Sequence, residues 1–416
     1  GQNALAATTA GGFNAFVLLM LPMGICFIVS SFAAQLHGRG DLHGARRYGY
    51  YGLGVAVLTQ LVGLAGMPLV GLALARLGYD PQVRQLTETY LLIRLAASGP
   101  AIGMEALASY YGGIGDTRTP MLANVFAMVL NVALSIVLIN GYWGLPALGV
   151  AGAAWGSALA TSAAFALLLA RFVLTGKNLG GWWPALQWHE FGRMLRFGLP
   201  SGLNWFFEFM AFNFFINVVV AGLGTTALAA MGAVFQVNSV SFMPAFGLAS
   251  AGAILVGQAI GEQEKHRVPR ILAITFATAA VWQCAVGLLY LLMPELLLAS
   301  FLPTDKPVEA AALLAAGARM LMLSAAWQIF DAAAATVAET LRAAGDTAFA
   351  LWARVVVAWL IFVPGSWYTV RVMGGGDLVA VGWIVGYLGL LAIVLAWRFY
   401  SGAWRTIELV EEIPPV

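Results

Sequence analysis

Two carboxylates in this chain stand where a charge is expensive. Glu208 lies twelve residues after Arg196 within an apolar run, and Asp331 lies twelve residues before Ala343 within another. At the helical rise per residue, each is about 18 Å from the helix end it is counted from. An ionised side chain at that depth in a bilayer costs at least about 2.5–3.5 kcal/mol, so it faces a cavity or a partner and marks a functional site. Each acid has polar company on its own helix. Ser201, Asn204 and Glu208 follow i, i+3 and i+7, and Ser324, Gln328 and Asp331 follow i, i+4 and i+7. Two acids with amide and hydroxyl oxygens make a hard-oxygen cage for a monovalent cation such as Na+. The same oxygens could carry protons instead, since carboxylates bind both ions. A purely structural polar network is the alternative.

The helix bearing Glu208 also carries Trp205, Phe207, Phe209 and Phe212, and Trp327 and Phe330 flank Asp331. Aromatic crowding in a membrane helix serves packing or lipid contact; beside a buried acid it also suits a flat organic cation, which is drawn to ring faces. Trp205, Phe212 and Trp327, together with Glu105, are therefore the candidate substrate cavity. Glu105 stands about 12 Å from its helix end and has Ala335 as its repeat counterpart. It is either a cation or substrate contact of the first half or a residue reaching a polar vestibule. Beyond Na+ at Glu208 and Asp331 there is no metal-ligand spacing. Nor is there a nucleophile elbow, a phosphate loop or an Asp-rich magnesium motif, so neither an enzyme nor a cofactor is expected.

The elements that must hold these residues are membrane helices. Hydrophobic residues make up 61% of the chain and charged residues 10%, against about 25% charged in soluble domains; mean hydropathy is +0.84. A bilayer core needs about 20 apolar residues per helix. Spans are predicted near 5–35, 51–77, 86–113, 119–140, 149–174, 196–222, 226–258, 270–302, 308–343, 346–372 and 377–400. Cys26 and Cys284 are read as buried thiols within them.

The chain repeats itself. Gly1-Gln-Asn-Ala-Leu-Ala-Ala7 returns as Gly224-Thr-Thr-Ala-Leu-Ala-Ala230, and Gly115-Asp-Thr117 returns as Gly345-Asp-Thr347. The fold class that follows is an all-α membrane protein built of two parallel-repeat helical bundles. The predicted divisions are an N-terminal bundle over 1–175, a cytoplasmic linker over 176–195, a six-helix bundle over 196–400 and a cytoplasmic tail over 401–416. The segment at 196–222 has no counterpart before Gly1, so the first bundle is expected to lack its opening helix, leaving eleven of twelve. Gly152-x-x-x-Gly156 and Gly382-x-x-x-Gly386 predict close helix approach in each bundle, and Pro22 and Pro244 predict kinks.

Charge sets the orientation. Fifteen basic residues, Arg354 and Arg398 among them, are assigned to one set of alternate loops and six to the other. The richer set is placed in the cytoplasm, with the C-terminus, which suits a bacterial inner membrane. The expected partners are the bilayer and small amphipathic or cationic organic solutes, not nucleic acid.

Together these residues resemble the multidrug and toxic compound extrusion (MATE) family. The resemblance is carried by Gly113-Ile-Gly-Asp-Thr-Arg-Thr-Pro120, Asn124, Asn131 and Gly144-Leu-Pro-Ala-Leu-Gly-Val-Ala-Gly-Ala-Ala154, and by Gln328-x-x-Asp331 with Leu341-Arg-Ala-Ala-Gly-Asp-Thr347. It implies two six-helix lobes, of which eleven helices are present here, and a monomer exporting organic cations in exchange for Na+ or H+ by alternating access. Phe207-Glu208 and Asp331 match the cation-binding acids of the NorM-like branch. Trp327 stands where that pattern often has a Tyr, keeping the ring without the hydroxyl. The rival readings are a lipid-linked precursor flippase of the same superfamily, which would need a cationic cavity, and an inactive truncated transporter.

Overall fold

The computed structural model describes residues 2–76, 78–176, 185–302 and 307–411. Every regular element among them is a helix. Ten helical runs are long and apolar enough to cross a bilayer, and an eleventh is made if one bent pair counts as a single span. The chain forms two compact units, Gly1–Gly202 and Leu203–Val416.

The first unit contains α1 (Gln2–Gly38), α2 (Leu42–Ala75), α3 (Pro81–Ala96), α4 (Ser98–Gly113), α5 (Arg118–Asn140), α6 (Val150–Thr175) and the opening of α7 (Trp188–Phe214). Helix α2 starts earlier than the apolar run suggests. Asp41 accepts a hydrogen bond from the Gly44 backbone N–H at 2.7 Å and so caps the first turn, drawing Arg46 and Arg47 into the helix. The predicted span over 86–113 is bent by 50° between α3 and α4. Pro100 lacks an N–H and its ring crowds the carbonyl four residues back, which breaks the helix at Ala97. Gln60 of α2 repairs the break, donating to Leu95 O at 3.2 Å and accepting from Gly99 N at 2.8 Å. Freed backbone groups at membrane depth need such rescue. Helix α1 runs unbroken through Pro22.

The division between the units falls inside α7, within the segment assigned whole to the second bundle by its hydropathy. The reason is local packing. Glu190 forms a two-pronged pair with Arg47 at 2.9 and 2.8 Å and accepts from Tyr51 Oη at 2.6 Å. Further along α7, Gly24 and Gly202 pass so closely that a methyl on Gly24 would come 2.6 Å from Gly202 Cα. Residues 177–184 of the expected linker lie outside the described residues.

The second unit continues with the rest of α7, which ends in a π-helical turn (Phe215–Val220), then α8 (Thr225–Gly261), α9 (Val268–Leu292) and the short α10 (Pro294–Leu298). Pro294 stops α9, so the span predicted to reach 302 ends ten residues sooner. Next come α11 (Pro307–Ser324), a tight turn at Ala325–Trp327 and α12 (Gln328–Ala343), a single span of 37 residues. The next span joins α13 (Thr347–Val355) and α14 (Val363–Trp367) through π-helical turns at Val356–Phe362 and Tyr368–Val372, and α15 (Asp377–Tyr400) closes the unit. Trp404 folds back and stacks on Phe399 at 5.5 Å.

The two Gly-x-x-x-Gly pairs behave differently. A methyl on Gly152 would come 2.6 Å from the Leu138 backbone and one on Gly156 3.0 Å from Ser135 N, whereas Gly382 and Gly386 have nothing within 4 Å. Only the first copy uses the motif for helix contact. In the second, the π turns widen the partner span and it is Gly365 that receives the Trp383 ring. Cys284 also departs from expectation: it is exposed, and only Cys26 is buried.

The repeated Gly-Asp-Thr turns share one construction. Gly115 and Gly345 adopt φ +85 and +89, the left-handed region that favours glycine. The Asp that follows is held by an arginine from the last helix of its unit's bundle: Asp116 by Arg171 at 3.2 Å, and Asp346 by Arg398 at 2.7 Å.

Candidate functional site

The described partners of Glu208 are Arg354 and Tyr387. The carboxylate forms an ion pair with Arg354 of α13, both side chains being largely buried. Its Oε1 accepts a hydrogen bond from Tyr387 Oη of α15 at 3.1 Å. Arg354 was assigned to a loop; it instead lies seven residues past Thr347, about 10 Å into its span, and a long side chain covers the remaining depth. Removing it from the loop tally leaves fourteen basic residues against six.

Asp331 sits on the first turn of α12 and is half-buried. Gln283 of α9 donates from Nε2 to Asp331 Oδ2 at 2.8 Å. Gln283 is wholly buried, and its Oε1 has no hydrogen-bond partner. No hydrogen bond or ion pair joins Glu208 to Asp331 directly. Tyr387 bonds Glu208, and Gln283 bonds Asp331.

The supporting polar residues divide. Gln328 and Ser324 do not turn toward either acid. Gln328 Nε2 donates to Asn238 Oδ1 at 2.7 Å, and its Oε1 accepts from Ser241 Oγ at 2.8 Å. Asn238 Nδ2 in turn donates to Ser324 Oγ at 3.2 Å. All four are buried, so their hydrogen-bonding groups are spent in fixing α12 against α8. Ser201 is buried and belongs to the first unit. Asn204, one turn before Glu208, keeps a buried Oδ1 without a partner. The acceptors left over near the two acids are thus Asn204 Oδ1 and Gln283 Oε1.

Aromatic rings form a shelf beside this polar chain. Phe212 lies edge-on to Tyr387 at 5.6 Å and to Phe235 at 6.3 Å, and Phe235 stacks on Trp327 at 6.3 Å. Phe362, at the end of a π turn, lies 5.1 Å from Tyr387 and 5.0 Å from Phe215. The wider π winding displaces side chains from the ordinary helical register. Trp359 Nε1 donates to Phe207 O at 3.1 Å and ties the same turn to α7. Trp205 packs edge-on against Phe246 of α8 at 5.3 Å. Glu105 is in the first unit, where Ser109 Oγ approaches its Oε1 at 3.5 Å.

Sequence reading missed Gln283, Tyr387 and Arg354. The first two are uncharged, so a cost argument built on ionised groups passes over them. Their common signal was a polar group in mid-span.

Chemically the arrangement offers one paired carboxylate, one carboxylate held by a single amide, spare amide oxygens and an aromatic wall. Comparisons with known proteins bear on the family and the fold. A model of the MatE family matches residues 1–137 and 200–368. The chain is 30% identical to the probable multidrug resistance protein NorM of Rhizobium meliloti (strain 1021) over 412 residues, covering 96% of this chain and 86% of that protein. It is 29% identical to the protein of the same name from Agrobacterium fabrum over 407 residues, with the same coverage. A solved multidrug resistance MATE family transporter of the MOP superfamily, in an outward-facing conformation, superposes with a TM-score of 0.87 at 20% identity, covering 98% of this chain and 90% of that one.

Proposed function

The chain belongs to the MatE family, and from that premise we propose that it is a secondary antiporter of a bacterial inner membrane, exporting amphipathic or cationic organic compounds in exchange for Na+ or H+. Its relatives bear the names of multidrug resistance proteins and transporters rather than enzymes. The observation that carries the reading is Asp331, a mid-span carboxylate held by one amide donor beside a buried, unpartnered oxygen of the same Gln283. A carboxylate so placed gains from a positive ion, and coupling follows where that gain differs between the inward- and outward-open states. Gln283 Oε1 and the carboxylate are both hard oxygen ligands, so Na+ and H+ each fit.

The aromatic shelf supports the substrate side. Phe212, Phe235, Phe362, Tyr387 and Trp327 form a continuous ring cluster reaching from the Glu208 hydroxyl partner to the turn before Asp331, with Phe212 and Phe235 half-buried and the other three buried. Ring faces attract flat organic cations without demanding a fixed hydrogen-bond pattern, which suits broad specificity. An anionic lipid-linked ligand would need a free positive charge in this unit's interior, and Arg354 is spent on Glu208.

The test is export of a fluorescent organic cation from proteoliposomes under an imposed Na+ gradient and, separately, under an imposed pH gradient. Acceleration by one or both supports the proposal. An export rate indifferent to both gradients refutes it.

A further inference from the structure

We propose that Arg354 is a resident counter-cation for Glu208, so that the exchangeable cation of the second unit is taken by Asp331 and not by the two acids jointly. The inference rests on the antiporter reading for its consequence but not for its geometry. Glu208 and Asp331 are both carboxylates within spans, yet their surroundings differ. Glu208 is met by a guanidinium from α13 and a phenol from α15. Asp331 is met by a neutral amide from α9, with no basic group bonded to it among the described residues.

An arginine is suited to this role. It stays protonated throughout the physiological range and matches a carboxylate with fixed donors. A mobile ion must displace it to reach Glu208, and the displaced guanidinium would then be left unpaired within the span. Arg354 already keeps one buried donor, Nε, without a partner, and losing Glu208 would strip it further. Separating the pair would leave an uncompensated charge within the span, which works against exchange with an ion from solution. The charged and titratable groups bonded to Glu208 among the described residues are Arg354 and Tyr387.

The assignment predicts that deleting the arginine creates a cation site that the native protein does not have at Glu208. Purified wild type, Arg354→Met, Glu208→Gln and the double variant Arg354→Met/Glu208→Gln are melted in detergent while NaCl replaces choline chloride at constant ionic strength. Arg354→Met should gain a Na+-dependent rise in melting midpoint of about 3–5 °C at tenfold above half-saturation. The double variant should lose that gain, and Glu208→Gln should leave any Na+ response of the wild type intact. A wild-type response abolished by Glu208→Gln, or an Arg354→Met protein indifferent to Na+, would overturn the assignment.

Should Arg354→Met fail to fold, the charge-neutral double variant decides. In proteoliposomes its export should keep the ion dependence of the wild type, whatever its rate. Loss of that ion dependence would overturn the assignment. Melting needs no transport, so a wild-type protein that moves no substrate would defeat the antiporter reading while leaving the counter-cation assignment standing.

Discussion

Gln283 and Asp331 face each other across the α9–α12 contact, the amide Nε2 donating to Oδ2 at 2.8 Å. The bond orients the carboxylate and leaves the second amide atom, Oε1, buried beside it. A hydrogen bond to a charged group contributes about 1.5–3 kcal/mol, which corresponds to about 10–100-fold in an equilibrium constant. Gln283→Leu should therefore shift the half-saturating concentration of the coupling ion by about 10–100-fold, with the protein still inserted and monodisperse. The shift is toward weaker binding for Na+, which loses the Oε1 ligand, and toward tighter binding for H+, because the lost donor favours the charged carboxylate. Dose–response curves of export against the coupling ion check it. An unchanged half-saturating concentration would remove Gln283 from the site.

The paired Gly-Asp-Thr turns should differ in sensitivity. Asp346 is 4% exposed and takes two donors from Arg398, at 2.7 and 3.3 Å. Asp116 is more open, and its arginine partner is 56% exposed. Breaking a buried pair costs about 3 kcal/mol or more, whereas an exposed pair with a turn hydrogen bond contributes about 1 kcal/mol. Asp346→Asn should thus lower the melting midpoint by more than Asp116→Asn does.

The Asp116 effect also carries a pH signature. Partial burial works against its ionisation, but two hydrogen bonds from Thr119 and the Arg171 charge outweigh that and hold the carboxyl below its ordinary value of 3.8. A group whose pKa is lowered by folding contributes fully above the unfolded value, and the contribution is lost as pH falls through the folded value. The midpoint difference between wild type and Asp116→Asn should be constant from neutral pH down to about pH 5 and shrink in more acidic solution. A difference that grows on acidification would contradict the account.

The Gly-x-x-x-Gly pairs give a sharper contrast. A methyl on Gly152 would press into the Leu138 backbone, while one at Gly382 would meet nothing within 4 Å. Gly152→Ala should destabilise by about 1–3 kcal/mol. Gly382→Ala should be neutral or slightly stabilising, since Ala favours helix by about 1 kcal/mol over Gly. Paired melting curves decide, and equal losses at both positions would show that the two copies pack alike after all.

What the sequence disclosed follows from which physical signals are local. Glu208 and Asp331 stood out because charge in an apolar run is costly wherever the chain goes, and depth could be counted from the helix ends. The Gly-Asp-Thr repeat was equally plain, though its arginine partners come from residues 55 and 52 positions away. Arg354 misled because the charge tally counts it with the neighbouring loop, although its backbone lies inside the span predicted at 346–372. Ser324 and Gln328 were read as company for Asp331 because they share its helix. Their actual partners, Asn238 and Ser241, lie on α8 at separations of 86 to 90 residues, and no periodicity within one helix reveals such pairing. The break at Ala97 was foreshadowed by Pro100, but its rescue by Gln60 was not.

Asp331 is the residue on which the transport proposal stands. The most direct measurement is export of a fluorescent organic cation from proteoliposomes carrying wild type or Asp331→Asn, under the gradient that drives the wild type, with vesicle incorporation matched. The account predicts that Asp331→Asn falls to the rate of protein-free vesicles and no longer responds to the gradient. Gradient-driven export at the wild-type rate by the Asn variant would contradict it.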